Sequence, residues 1–398
     1  MQNQKQSQFF LILILGMMTA LSPFSIDMYL SAFPLMAKYF NTDVARVSMS
    51  LSSYFVGLAS GQLFYGPLMD RFGRKKPLLI GLSIYILASI GCVFAQKIES
   101  LILLRFLQAV GGCSASVSAF AMVRDLFSPK DSAKVLSRLV LVLSVSPLLA
   151  PTIGSYLSIY FGWASNFVAL AIGSTLLAFV IFKFLPESHK PDSSHVLRPL
   201  PIIKSYWSIL REPKFFTYAL SGAIGFAGLF VYLAASPTIF MEIFTVSEQA
   251  YGWIFAIIAM GIVGASQVNV LLLKNFSNEQ ILKGALTGLV IVSTTFFICA
   301  LNGLFNLYSV VGTMFVYLAC IGLSNPNAAA LAMAPFGHKA GSAAALIGFL
   351  QMSVGAAASV FVGIMKAQQL FPLTLIFVAT STLSLIVFHL GMRKIQKA

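Results

Sequence analysis

Gly66-Pro67-Leu68-Met69-Asp70-Arg71-Phe72-Gly73-Arg74-Lys75-Lys76-Pro77 joins two apolar stretches, about 45–67 and 77–95, each long enough to cross a bilayer. Arg71, Arg74, Lys75 and Lys76 hold this connection on the cytoplasmic side, where basic residues near span ends are retained. That rule accounts for the charges but not for the Gly66–Asp70–Gly73 spacing. Gly66 is expected to let its helix approach a neighbour closely. Asp70, at a helix end, suits the positive N-terminal end of another helix.

The 398 residues are 58% hydrophobic and 10% charged, with a mean hydropathy of +0.88. A soluble domain carries about a quarter charged residues, so this is an all-α polytopic membrane protein. Twelve apolar segments can be marked, at about 9–34, 45–67, 77–95, 100–123, 138–160, 163–185, 214–240, 250–273, 282–301, 306–330, 341–365 and 370–391. With both termini cytoplasmic, only Lys38, Arg46, Lys97 and Lys366 of the 26 Lys and Arg face outward, and Arg105 lies within a span. The net charge of +14 is thus a topology signal and excludes nucleic acid as a partner. The first segment is too long for a secretory leader and no small-x-small site ends it, so it is expected to stay as a span. Cys92, Cys113, Cys299 and Cys320 all fall in apolar segments, without metal or disulfide spacing, and are expected to pack as small hydrophobes.

Residues 186–213 form the longest polar connection, and Pro186, Pro191, Pro199 and Pro201 forbid a long helix there. Ile202, Ile203, Tyr206, Trp207, Ile209 and Leu210 fit a short interfacial helix. At an offset of 207 residues, Leu79, Gly81, Leu82, Ile84 and Cys92 fall on Leu286, Gly288, Leu289, Ile291 and Cys299. The expected architecture is two six-helix halves, 1–185 and 214–398, around a central cavity, a duplication suited to alternating access.

Two charges lie well inside spans. Asp27 sits in Ser22-Pro23-Phe24-Ser25-Ile26-Asp27-Met28-Tyr29-Leu30, and insertion there costs about 3 kcal/mol, which marks it as functional. Arg105 shares one helix face with Gln108 and Gly112 at i, i+3, i+7. From their distances to the outer span ends, the two charges differ in depth by roughly 7 Å. Asp27, Arg105 and Gln108 are therefore the expected proton-coupling set, and a static ion pair joining the first and fourth spans is the alternative. At the same offset Asp27 falls on Ala234 and Arg105 on Gly312, which places the coupling chemistry in the first half alone. Arg124 and Asp125, ending span four, are expected to meet the Asp70–Arg74 loop as an inner latch. Pro147, Pro151 and Gly154 bend or swivel span five. Gly341-Ser342 is a candidate N-cap facing Asp70. Tyr29, Tyr54, Gly112, Tyr232, Gln267, Asn269, Asn325 and Gln351 are the candidate substrate-cavity residues.

With these residues in place, the chain resembles the Bcr/CflA drug-resistance exporters of the major facilitator superfamily's twelve-span drug:proton branch. The resemblance rests on Ser25 to Leu30, Tyr65 to Arg74, Leu104 to Gln108, Leu149-Ala150-Pro151-Thr152-Ile153-Gly154, Ala235-Ser236-Pro237 and Ala340-Gly341-Ser342. It implies export of small amphipathic compounds driven by inward proton flow across a bacterial inner membrane, by a monomer needing no cofactor. Under it Asp27 is the proton-responsive carboxylate, Arg105 its electrostatic partner, and Pro151 with Gly154 the antiporter motif. The chain departs from that group at Ser31, where proline is common, at Ala150 and Ser155 in the antiporter motif, and at Thr245, where glycine is usual. A proton-coupled importer, or an exporter of metabolites, is the alternative on the same fold. An intramembrane enzyme would need a paired constellation of groups, whereas His189, His195 and His338 lie in connections and His389 ends span twelve.

Overall fold

The computed structural model describes residues 2–189, 191, 199–336, 340–365 and 370–397. His195 and His338 lie outside the described residues, as does Lys366. Fourteen α-helices run in order: α1 Gln2–Asp27, α2 Phe33–Tyr39, α3 Val44–Phe72, α4 Lys75–Val93, α5 Ile98–Leu126, α6 Pro129–Phe161, α7 Ser165–Phe184, α8 Pro199–Leu210, α9 Pro213–Pro237, α10 Glu248–Leu272, α11 Asn278–Leu301, α12 Leu307–Met333, α13 Ala340–Met365 and α14 Leu370–Lys397. Among the described residues, eleven spans meet both length and apolarity for crossing a membrane. The remaining expected span is α3, which is long enough but rich in serine. Its Ser48, Ser50 and Ser52 are buried against protein, so they are not a cost in lipid.

Local sequence sets the helix ends. Asp43, Ser128 and Ser247 accept backbone N–H bonds at the starts of α3, α6 and α10. Ser277 with Gln280, and Asn306 with Ser309, form reciprocal caps on α11 and α12. The expected short linker helix forms as α8, with Ile209 buried and Ile203 and Trp207 exposed. Cys92 and Cys113 are buried and all four cysteines are free thiols.

Two expected spans are not single helices. The first breaks after Asp27, passes through a 3-10 turn at Leu30–Ala32, and resumes as α2. The seventh ends at Pro237 and continues as a π turn over Thr238–Ile243. Beyond it Thr245 has φ 51°, a left-handed conformation that a β-branched residue adopts at a cost.

Within each half, glycines bring helices into contact. A Cβ at Gly57 would meet the backbone of Phe106 on α5, and one at Gly261 or Gly322 would meet a carbonyl across the α10–α12 crossing. Gly66 does not act this way, since a Cβ there meets nothing within 4 Å. Its place before Pro67 gives the reason: a proline ring crowds the Cβ of the preceding residue, and glycine has none. The halves meet where α3 lies along α13 and α6 along α10. On the outer side the seam is filled: Phe55 packs edge-on against Phe230 with centroids 4.4 Å apart, and Ser52 shares a 2.7 Å hydrogen bond with Ser359.

Candidate functional site

Arg105 is fully buried and meets no acid. The ion pairs among the described residues are Arg46–Glu99, Arg74–Asp70 and Arg74–Asp125. Its Nη2 donates to the Ser25 backbone carbonyl at 2.8 Å, and its Nη1 to Gln108 Oε1. The guanidinium lies 4.3 Å from the Tyr29 ring centroid, 4.2 Å from that of Tyr54 and 5.7 Å from that of Phe167. Aromatic faces and a carbonyl thus replace the expected carboxylate as its counter-charge. Because α1 stops at Asp27, Ser25 has one of the terminal carbonyls that a helix leaves without a partner. Arg105 supplies the donor and a charge of the right sign.

A chain of hydroxyls fixes the box. Gln108 Nε2 donates to Ser89 Oγ at 2.7 Å, and Ser89 Oγ donates to the Tyr85 carbonyl. Tyr85 OH shares a 2.5 Å bond with Ser25 Oγ, and Tyr29 OH a 3.1 Å bond with Ser50 Oγ. Gly112 makes room for the Tyr85 ring, which a Cβ would meet at 3.0 Å. Tyr29, Tyr54 and Gly112, expected at a substrate cavity, therefore belong to the packing around Arg105. Tyr85, Ser89 and Phe167 escaped the sequence reading, and Ser25 entered it only within a motif, because uncharged polar and aromatic residues in apolar spans look like ordinary core.

Asp27, 3% exposed, takes no part in the bonds of this network. The turn that follows it, Leu30–Ala32, packs against α9 and α10 of the second half, the helices that carry Tyr232 and Tyr251. The Tyr232 hydroxyl is buried without a hydrogen-bond partner, and Tyr251 OH pairs with Ser236 Oγ at 2.8 Å. A Cβ at Gly154 would run into the carbonyl of Met28, one residue past Asp27, so this glycine is what lets the broken first span dock on α6. On α6 two residues earlier, Thr152 lies against Gly252, next to Tyr251. Pro147 and Pro151 both lie inside α6.

The other candidates divide. Asn327 Nδ2 donates to Asn269 Oδ1 at 2.6 Å, and Gln351 Nε2 to Asn325 Oδ1 at 2.7 Å. The carbonyl of Gly322, freed because Pro326 lacks an N–H, accepts from Ser266 Oγ at 3.3 Å. Gln267 is not brought into this group. It is exposed on the face of α10 opposite Tyr251, Phe255, Ile258 and Asn269, beside the exposed Trp253 and Met260.

At the inner end, Arg74 donates Nη1 to Asp70 at 2.8 Å and Nε to Asp125 at 2.9 Å. Burial works against its charge, but the bond and charge of Asp125, with those of Asp70, hold the guanidinium above its ordinary range. Arg71 packs over the Phe72 ring at 5.4 Å. Glu187, beyond α7, accepts from the backbone N–H groups of Arg74 at 2.7 Å and Lys75 at 3.1 Å. It supplies the N-terminal cap that α4 lacks in its own sequence. Gly73 is required there: its φ is 81°, and a Cβ would lie 2.8 Å from the Glu187 carboxylate. Asp70, the expected partner for the start of α13, is bound to Arg74. Arg124 is the residue beside Gly341, its Nη1 3.7 Å from where a Cβ would be.

A family model described as Major Facilitator Superfamily matches residues 15–360. The chain belongs to that superfamily. It is 30% identical over 387 residues to the bicyclomycin resistance protein homolog of Haemophilus influenzae, covering 97% of each chain. It is 28% identical to a chloramphenicol resistance protein of Pseudomonas aeruginosa, over 84% of this chain and 79% of that one. Multidrug resistance protein D of Escherichia coli is 27% identical, over 87% of each. Among solved structures, the D-xylose-proton symporter superposes with a TM-score of 0.78 at 15% identity, over 96% of this chain and 97% of that one, a likeness of fold. As a superfamily member with these spans, the chain is a multi-pass membrane protein of transporter architecture.

Proposed function

We propose that this chain is a proton-coupled exporter of small amphipathic compounds, working by alternating access in a bacterial inner membrane with both termini cytoplasmic. Residues 1–185 and 214–398 would move as the two bodies, in a monomer. Relatives named for bicyclomycin, chloramphenicol and multidrug resistance support the cargo class.

The observation that carries the reading is the separation of the two buried charges. Arg105 is held by a carbonyl, an amide and aromatic rings, so among the described residues Asp27 is left outside any ion pair, just ahead of the turn that meets α9 and α10 of the second half. A proton bound or lost at Asp27 changes the charge at the seam without dismantling the Arg105 box. Such a charge change is the differential interaction that biases a two-state equilibrium. Antiport further requires that proton and cargo oppose each other in binding.

The test is transport in everted vesicles with an imposed proton gradient. Asp27→Asn should fold and bind cargo but lose gradient-driven accumulation. Wild-type accumulation by that variant would refute the assignment.

A further inference from the structure

The helices of the second half that approach or flank the seam carry no charge at membrane depth. In α9, α10, α12 and α13 there is no Asp, Glu, Lys, Arg or His across 215–241, 249–273, 307–333 and 340–365. Their polarity is amide and hydroxyl. Gln351 on α13 is bonded to Asn325 on α12, and both side chains are half-buried. One turn earlier on α13, a Cβ at Gly348 would lie 2.5–2.9 Å from the side-chain amide of Gln62, which reaches across from α3 of the first half. Gly348 therefore leaves the space that this amide occupies.

The group is under-used. Among the described residues the half-buried Gln62 amide has no hydrogen-bond partner, and neither do Gln351 Oε1 and Asn325 Nδ2. Half-buried amides with spare donors and acceptors, on both sides of a seam, offer compensation to a ligand that has lost its water. They offer nothing comparable to a full charge, which needs an opposite charge when desolvated. The carboxylate at membrane depth, Asp27, is 3% exposed at the end of α1.

We propose that Gln62, Gln351 and Asn325 form a binding subsite for the polar end of an uncharged molecule bearing amide or hydroxyl groups, so that the transporter selects neutral cargo over permanent cations. The inference rests on the reading of the chain as a small-molecule transporter and narrows its cargo. A ligand here touches α3 and α13 together, so its occupancy reports directly on how the halves stand.

The experiment is equilibrium binding to purified full-length protein in detergent, without a gradient. The probes are chloramphenicol, neutral with one amide and two hydroxyls, and tetraphenylphosphonium, a cation with no hydrogen-bonding group. Wild type should bind chloramphenicol more tightly. Gln62→Leu and Gln351→Leu should each weaken it about tenfold, the scale of one net hydrogen bond, and leave tetraphenylphosphonium unchanged. Gln62→Glu should invert the preference, a gain that misfolding does not produce. Wild-type preference for the cation, no binding of chloramphenicol, or well-folded variants that bind like wild type would each overturn the proposal. Loss of coupling in vesicles with these binding results intact would count against the antiport reading alone.

Discussion

Arg105 donates to the backbone carbonyl of Ser25, two residues ahead of Asp27, and not to the Asp27 carboxylate. One buried charge is thereby a structural cap and the other stands outside that cap. The two should then respond differently to mutation.

Arg105→Ala removes the donors to Ser25 and Gln108 and empties a box of three rings. It should destabilise the protein by about 3 kcal/mol, since buried acceptors lose their partner and cation–π contacts vanish. Asp27→Asn should melt within a few degrees of wild type. Thermal unfolding of both in the same detergent checks the contrast; equal losses would mean that the two charges do act as one pair.

Tyr232→Phe deletes a buried hydroxyl that has no partner. Stability should be unchanged or up by as much as about 1 kcal/mol, because an unsatisfied polar group is removed. Cargo-induced proton release should nevertheless change, since this phenol is on α9, against which the turn after Asp27 packs. Proton release from Tyr232→Phe indistinguishable from wild type would remove the phenol from the mechanism.

Gly154→Ala places a methyl where the Met28 carbonyl lies, so the break in the first span can no longer seat on α6. Transport should be lost, with a destabilisation of about 2 kcal/mol or more. Gly66→Ala has open space around it and should leave packing and transport near wild type. Melting curves and uptake assays of the two variants rank them.

Thr245→Gly relieves a left-handed backbone and should raise stability by about 1 kcal/mol. A melt that moves down would show that the Thr245 side chain contributes more than its strain costs.

Asp125→Asn should weaken the inner cluster more than Asp70→Asn. The Asp125 carboxylate is 19% exposed and the Asp70 carboxylate 47%, and exposed pairs contribute little. Protease access to the 66–77 connection, measured side by side in the two variants, checks the order.

The fold was largely legible in the sequence because the bilayer makes length, apolarity and basic residues near span ends decisive. Asp27 and Arg105 also stood out, since charge at depth is rare. Their relation was not legible: depth along two helices gives a separation, but rotation about each axis decides whether the groups meet. Arg105 turns to the end of α1 and the rings of Tyr54 and Phe167, whereas Asp27 stays out of that network, just ahead of the turn that meets α9 and α10. Tyr251 and Gln62 were missed for a related reason, because polar but uncharged side chains in spans carry no signal until neighbouring helices are placed. Gln267 misled in the opposite direction, an amide whose helix face points away from the centre. Gly66 misled as well, since a Cβ there meets nothing within 4 Å and no crossing helix requires the glycine.

Glu187 belongs to the stretch that follows the sixth span, yet it finishes the fourth helix far back in the sequence. Anyone dividing the gene into two co-expressed fragments must cut beyond it. A first fragment ending before Pro186 would leave α4 frayed at its start, whereas one ending after residue 191 would carry its own closure and could be assembled with the second fragment in trans.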